Sequence, residues 1–128
     1  MGMPFTSPFG HVGEIVTMKA WKAAAGTAAF TDIDTGSTAA VLVTAGFRWV
    51  ILGGFMSCIG NASQITLEDE DGNDLSPPWE CPPIDGGTIP IIVTPFKVPT
   101  ANKGIQINIG GAGSPEGQAQ VYGYLEAV

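Results

Sequence analysis

Glycine and proline occur so often in this chain that long helices are disfavoured throughout. The 128 residues include 18 glycines and 10 prolines, and both residue types destabilise helix interiors. The runs between them are short and apolar, and several alternate apolar with polar positions. An alternation with a period of two is typical of strands that bury one face. The sequence therefore predicts an all-β protein of short strands and tight turns.

About eight strands can be placed along the chain, at spacings of roughly 10 to 15 residues. The candidates are residues 14–21, a strand end near 30, and residues 38–44, 47–59, 64–68, 88–94, 103–110 and 118–128. Ile105, Ile107 and Ile109 alternate with polar residues and are expected to face inward. This number and rhythm predict a β-sandwich or barrel. The length suits one domain with a single core.

Four segments carry more local predictions. Gly53 and Gly54 interrupt a strand candidate and predict a bulge or bend. The alanine-rich residues 22–29 predict a helical turn, and residues 71–73 (Asp-Gly-Asn) predict a hairpin-type turn. Residues 75–83 contain four prolines, so we expect an edge strand or an ordered loop there.

Residues 1–12 are predicted to form an extended N-terminal arm, separate from a single sandwich domain at 13–128. Two prolines disfavour helix in this segment. Its large apolar side chains require burial, either over the chain's own domain or on a neighbouring subunit. In the second case the arm residues that contact a partner are Met1, Met3, Pro4, Phe5, Pro8 and Phe9.

The charge content excludes two classes of partner and favours a third. The net charge is −7 and no window holds a basic cluster, so phosphate backbones and anionic membranes are unsuitable partners. Only 13% of residues are charged, which is low for the surface of a free monomer. We therefore expect part of the surface to be covered by other protein chains.

The N-terminus lacks a signal-peptide pattern, and no apolar stretch is long enough to span a bilayer. Synthesis in the host cytoplasm is therefore expected. Cys58 and Cys81 are accordingly expected to be reduced. The 22 residues between them would nevertheless permit a disulfide.

Candidate catalytic and metal-binding residues are few. His11 is the only histidine, and it lies in the arm without a partner that could form a catalytic pair. Asp69, Asp71 and Asn73 have the first spacings of a calcium loop, with Glu80 at its twelfth position. Asp74 occupies the position that requires glycine, and a solvated hairpin tip explains the cluster better. We expect no enzyme activity, no metal and no cofactor.

The three tryptophans differ in their surroundings. Trp49 lies in a strongly apolar run and is expected in the core, whereas Trp21 ends a strand. Trp79 lies next to prolines and is expected to be the most exposed, available to a partner chain or to a glycan.

From residue 55 to the C-terminus, the chain resembles the capsid decoration (cement) proteins of tailed bacteriophages. The matching motifs are GGFMSCIG, ASQITLEDEDGNDLSPP, GGTIPI and the closing KGIQINIGGAGSPEGQAQVYGYLEAV. The resemblance implies a jelly-roll-like sandwich, often a homotrimer, on the outer surface of the virion. Such a protein binds the major capsid protein and stabilises the assembled shell across its subunit seams.

Two other functions compete with a cement role. Similar jelly-roll patterns occur in phage tail, fibre and baseplate modules, which bind a host glycan or another tail protein. A small cupin-like metal enzyme would need two or more histidines on facing strands, and this chain has one. The sequence therefore favours a structural or binding protein over an enzyme.

Overall fold

The computed structural model describes residues 4–6, 12–58, 63–80, 87–90, 96–111 and 115–128 of the chain. Their regular structure is almost entirely β, with one short helical turn, α1 (Ala39–Leu42). The strands are β1 (Pro4–Thr6), β2 (Val12–Glu14), β3 (Val16–Lys22), β4 (Gly26–Ala29), β5 (Thr31–Asp32), β6 (Phe47–Cys58), β7 (Ser63–Asp69), β8 (Trp79–Glu80), β9 (Gly87–Pro90), β10 (Phe96–Lys97), β11 (Ile105–Gly111) and β12 (Gly117–Ala127). Across these ranges, no helix has the length and apolar character needed to cross a membrane.

Two antiparallel sheets form the body of the protein. The larger sheet has the order β10-β6-β12-β3-β5, with β9 also paired to β6, and the smaller has the order β4-β11-β7-β8. The chain passes from one sheet to the other several times between β3 and β12. The prediction of an all-β sandwich is confirmed. More strands are present than the eight expected because several contain only two to four residues.

The core lies between the inner faces of the two sheets. Ile105, Ile107 and Ile109 of β11 are buried as predicted. They form one apolar cluster with residues of β7 and of the larger sheet, such as Ile65, Leu67, Met18, Ile51 and Val121. Because alternate residues of a strand face opposite sides, each inner strand contributes every second side chain to this cluster. Full burial of each large aliphatic side chain stabilises the fold by about 1.5–3 kcal/mol.

Trp49 lies in the core, as the sequence predicted, and it is the largest fully buried side chain. Its indole Nε1 donates a hydrogen bond to the carbonyl oxygen of Ala39, at 3.1 Å. A buried indole N–H without an acceptor would be costly. This bond therefore ties α1 to the centre of the core.

The strand expected at residues 38–44 is wrong, since α1 occupies most of this segment. Thr38 caps the helical turn, with its hydroxyl accepting a hydrogen bond from the Val41 backbone N–H at 3.3 Å. Gly104 packs so closely that a Cβ there would lie 2.6 Å from the Ala40 nitrogen. The periodicity of a short apolar run cannot distinguish a strand from a helix. In this segment the Thr38 cap and the hydrogen bond from Trp49 stabilise the helical turn.

The helical turn expected at residues 22–29 is also wrong. Gly26 has a φ of +126°, which no helix contains. The residues from Gly26 to Ala29 form β4, which pairs with β11 so that Ala28 lies opposite Ile107. Pairing with the edge of the smaller sheet has overridden the weak helix preference of the alanines.

The segment expected to be an extended arm contains β1, which pairs with β2 as an antiparallel hairpin. Phe5 lies opposite Gly13, and β2 contacts β12 of the same chain. Of the other arm residues named above, Met1, Met3, Pro8 and Phe9 lie outside the described residues.

The expectation of reduced cysteines is wrong for Cys58, which is disulfide-bonded. The only other cysteine in the sequence is Cys81, which lies outside the described residues. The expectation was based on the redox conditions in the compartment of synthesis. The structure places Cys58 in a buried position at the end of the long strand β6.

The predicted irregularity at Gly53 and Gly54 is confirmed as a β-bulge. Tyr122 of β12 lies opposite Gly53, but Gly123 lies opposite Ile51, so that Leu52 is the extra residue. Gly54 has a φ of +152°, and a Cβ there would lie 2.0 Å from the carbonyl oxygen of Gln120. The two longest strands can therefore pair along their whole length only with glycine at this position.

We predict that Gly54→Ala lowers the free energy of unfolding by about 3 kcal/mol, because it combines a steric collision with an unfavourable φ. Urea unfolding monitored by tryptophan fluorescence measures the change. Gly110→Ala is the matched control, since the nearest atom to its Cβ would be 3.8 Å away. Equal stabilities of the two variants would contradict the prediction.

Candidate functional site

The acidic turn after β7 uses its carboxylates to hold the backbone. Asp69 Oδ1 accepts hydrogen bonds from the backbone N–H groups of Asp71 (2.9 Å) and Asn73 (3.0 Å), and its Oδ2 accepts one from the Asn73 side-chain amide (3.0 Å). Glu70 accepts a hydrogen bond from the Gly104 N–H at 3.0 Å. Lys103 forms an ion pair with Asp71 at 2.8 Å. The turn is a closed hydrogen-bonded unit that links β7 to the start of β11.

The four calcium candidates are not assembled into one site. Glu80 lies opposite Gln64, five residues before Asp69 on the neighbouring strand β7. The rise of a strand places that position roughly 16 Å from Asp69. In the part of the chain that the structure describes, no three His, Cys, Asp or Glu side chains are grouped so that they could hold a metal ion. His11 lies outside that part.

The pKa of Asp69 reflects the hydrogen bonds by which this carboxylate holds the acidic turn. Burial acts to raise the pKa of Asp69, but the hydrogen bonds from Asn73 and from the Asp71 backbone outweigh burial and hold it below 3.8. The hydrogen bond and charge of Asp71 raise the pKa of Lys103. Both shifts favour the charged forms and so stabilise the turn.

Glu68 is a second buried carboxylate, on the outer face of the smaller sheet. Its two oxygens accept hydrogen bonds from the side-chain amides of Gln106 (3.0 Å) and Asn108 (2.9 Å). Glu68 is therefore suited to binding two strands together.

A third set of charges lies where β6, β10 and β12 meet. Glu126 contacts Arg48 at 3.0 Å and Lys97 at 2.9 Å. The hydrogen bond from Lys97 is the main reason that the pKa of Glu126 lies below 4.5; burial opposes it and the bond from Arg48 supports it. These groups join three strands of the larger sheet.

Among the residues whose side chains the structure describes, the exposed aromatic rings lie on the outer face of the larger sheet. Trp21 of β3 is 58% exposed, Tyr122 of β12 is 44% exposed and Phe55 of β6 is 37% exposed. Phe55 lies opposite Gln120, which places it diagonal to Tyr122, within about 8 Å. We call Phe55, Gln120 and Tyr122 the central aromatic face. None of its side chains is charged.

Near Val50 and Tyr124, the outer face of the larger sheet is shielded from solvent. Val50 and Tyr124 follow the outward alternation of β6 and β12, yet both are fully buried and neither belongs to the core cluster. β2 contacts β12. The central aromatic face is thus the open part of a partly covered surface.

Trp21, and not Trp79, is the exposed tryptophan. Trp79 is partly buried and packs against the core, so the expectation that it would be the most exposed is wrong. Its position on β8, paired with β7 through Ile65, turns the ring inward. The exposure of Trp21 was predictable from the sequence, because Thr17, Lys19 and Trp21 are alternate residues of one strand and so share its outward face. Tyr122 likewise continues the phase of Gln118 and Gln120.

Trp21 also forms one wall of a groove. Its indole Nε1 donates a hydrogen bond to Glu116 Oε2 at 3.0 Å. The groove has a volume of about 480 Å³ and is lined by Lys19, Ala20, Trp21, Ala29, Thr31 and Gln118. It lies beside the outer edge of β3, where β5 pairs only with Met18 and Lys19.

Comparisons with known proteins add little. No protein-family model matches the sequence, and no curated protein matches it significantly. Among solved structures, the chain is similar to a chain of the virus-like particle of extra small virus of the giant freshwater prawn Macrobrachium rosenbergii, solved by cryo-EM. The identity is 14%, the alignment covers 100% of this chain and 91% of that chain, and the TM-score is 0.36. A similarity of this size carries no argument about function.

We predict that Glu126→Gln lowers stability at pH 7 by at most about 1 kcal/mol, because the ion pairs are partly exposed and screened by water. The carboxylate contributes its stabilisation fully above pH 4.5 and loses it as the pH falls through its lower folded-state pKa. The variant should therefore lose less stability than the unmodified protein on acidification below pH 4.5. Urea unfolding across this range tests the prediction, and identical acid slopes would contradict it.

Proposed function

We propose that the protein is a non-enzymatic structural component of a virus particle that works by packing against other protein chains. The observation that carries the proposal is the central aromatic face, whose three side chains are uncharged and whose two rings are exposed on the outer face of the larger sheet. Lys19, opposite Gln120, lies at its border. Depletion of charge together with exposed Tyr and Phe is characteristic of the centres of protein interfaces. Burial of this face against a partner would remove apolar area from water.

The arrangement of the carboxylates supports the non-enzymatic part of the proposal. Glu68, Asp69, Glu70 and Glu126 accept hydrogen bonds that join strands or close turns. General acid–base catalysis requires a group whose proton is available to a substrate at working pH. Depressed pKa values at Asp69 and Glu126 favour the permanently ionised form instead.

The finer assignment follows from the resemblance to cement proteins. In this assignment the chain binds the major capsid protein on the outside of a tailed-bacteriophage shell, as a homotrimer and without nucleic acid. Binding to the assembled shell, and not to free subunits, stabilises the shell by mass action. The net charge of −7 supports the absence of nucleic acid from its partners.

The direct experiment mixes the purified protein with shells that lack it and sediments the mixture. Co-sedimentation at a fixed stoichiometry supports the proposal. Binding to purified tails or fibres, with none to shells, would move the assignment to the tail, and binding to neither would overturn it. Cross-linking of the bound protein to the major capsid protein then identifies the partner.

We predict that Phe55→Glu weakens co-sedimentation at least about tenfold, because a charge at the centre of an apolar contact must lose its water. Val41→Glu is the matched control, since Val41 is 75% exposed on α1 and outside the central aromatic face. Unchanged thermal unfolding in both variants shows that folding is intact. Equal binding by the two variants would remove the central aromatic face from the proposed interface.

We also propose that residues 1–12 extend the interface, through Met1, Met3, Pro4, Phe5, Pro8 and Phe9. Deletion of residues 1–12 is predicted to reduce the number of copies bound per shell. Quantitative gel densitometry of sedimented shells measures this number. Unchanged occupancy would show that this segment serves only its own domain.

A further inference from the structure

The groove beside Trp21 has the chemistry of a small carbohydrate site. We propose that it binds one pyranose ring of a neutral carbohydrate, stacked on the exposed indole of Trp21. The site adjoins the central aromatic face, since Lys19 of its lining lies opposite Gln120. Phe55 lies two strands from Trp21 and roughly 12 Å away. The inference goes beyond the proposed structural function and does not depend on it.

The lining of the groove suits the two kinds of surface that a pyranose presents. The Trp21 ring offers a flat apolar wall for the C–H face of a sugar. Gln118, opposite Trp21 in the register, offers an amide that both donates and accepts, and Thr31 and Lys19 offer a hydroxyl and an ammonium group. Apolar walls with a few convergent polar groups characterise small-ligand sites.

Trp21 is held before any ligand arrives. The hydrogen bond from its Nε1 to Glu116 fixes the direction of the indole, although the ring is 58% exposed. Most exposed side chains lose rotational freedom on binding, and a ring fixed in advance avoids that cost. Glu116 therefore acts as a positioning residue, and we assign it no direct contact with the ligand.

The surroundings limit what else the groove can hold. Lys19 is the one charged side chain of the lining, and the Glu116 carboxylate that accepts the Trp21 hydrogen bond offsets its charge from outside the groove. A volume of about 480 Å³ accommodates a single sugar ring with its substituents.

The test follows the indole N–H signals of the three tryptophans in ¹H–¹⁵N spectra. The probes are the methyl glycosides of glucose, galactose, mannose and N-acetylglucosamine, with maltotetraose and chitotetraose as oligomers. We expect at least one probe to shift the Trp21 signal in a saturable way. Because substitution of Trp21 removes its own signal, saturation-transfer NMR on the sugar measures the affinities of the variants. Trp21→Ala should weaken binding about tenfold and Trp21→Phe less, while Gln118→Ala should weaken it severalfold. Val41→Ala is the control and should bind as the unmodified protein does.

Two results would overturn the proposal. One is the absence of any shift of the Trp21 signal with every probe at millimolar concentration. The other is unchanged sugar affinity in Trp21→Ala, which would place the ligand elsewhere. The shell-binding experiment is run in parallel with Trp21→Ala. Loss of shell binding without sugar binding would assign Trp21 to the protein interface instead, and sugar binding without shell binding would leave the inference intact while rejecting the structural function.

Discussion

The pairing of β6 with β12 is the constraint on which the rest of the structure depends. Backbone approach across this ladder is so close that a Cβ on Gly123 would lie 2.2 Å from the carbonyl oxygen of Val50. The bulge at Leu52 shifts the register of the ladder by one residue. As a result, Ile51 and Val121 face the core while Phe55 and Tyr122 face outward. The same glycines that permit the ladder therefore decide which aromatic rings other molecules can reach.

Tyr122 links this constraint to the surface. A Cβ on Gly53 would lie 2.8 Å from its phenolic oxygen, so the ring lies across the bare backbone of β6. This position makes the ring part of the fold as well as part of the surface. A partner that covers Tyr122 thus meets a ring that the sheet already holds in place, and the entropy lost on binding is small.

Strand identity was predictable wherever alternation continued over at least six residues, as in β3, β11 and β12. It failed at residues 38–44 and 22–29, where the result depends on a threonine cap, on the Trp49 hydrogen bond and on pairing with β11. These are tertiary interactions that a short window cannot contain. The exposed Trp21 and Tyr122 could be inferred from phase alone, whereas the inward turn of Trp79 depends on its pairing with Ile65.

The outermost strands have a consequence for a protein present in many copies. β5, β8 and β10 contain two residues each, and β4 contains four. An open strand edge of this length offers too few backbone groups to template the addition of another chain. Contacts between molecules must then come from side chains on the sheet faces, such as the central aromatic face. Because the shape of such a face is fixed by the fold, each copy can attach only in certain positions. Growth of the proposed assembly would stop at the geometry of its shell and would not continue as a fibre.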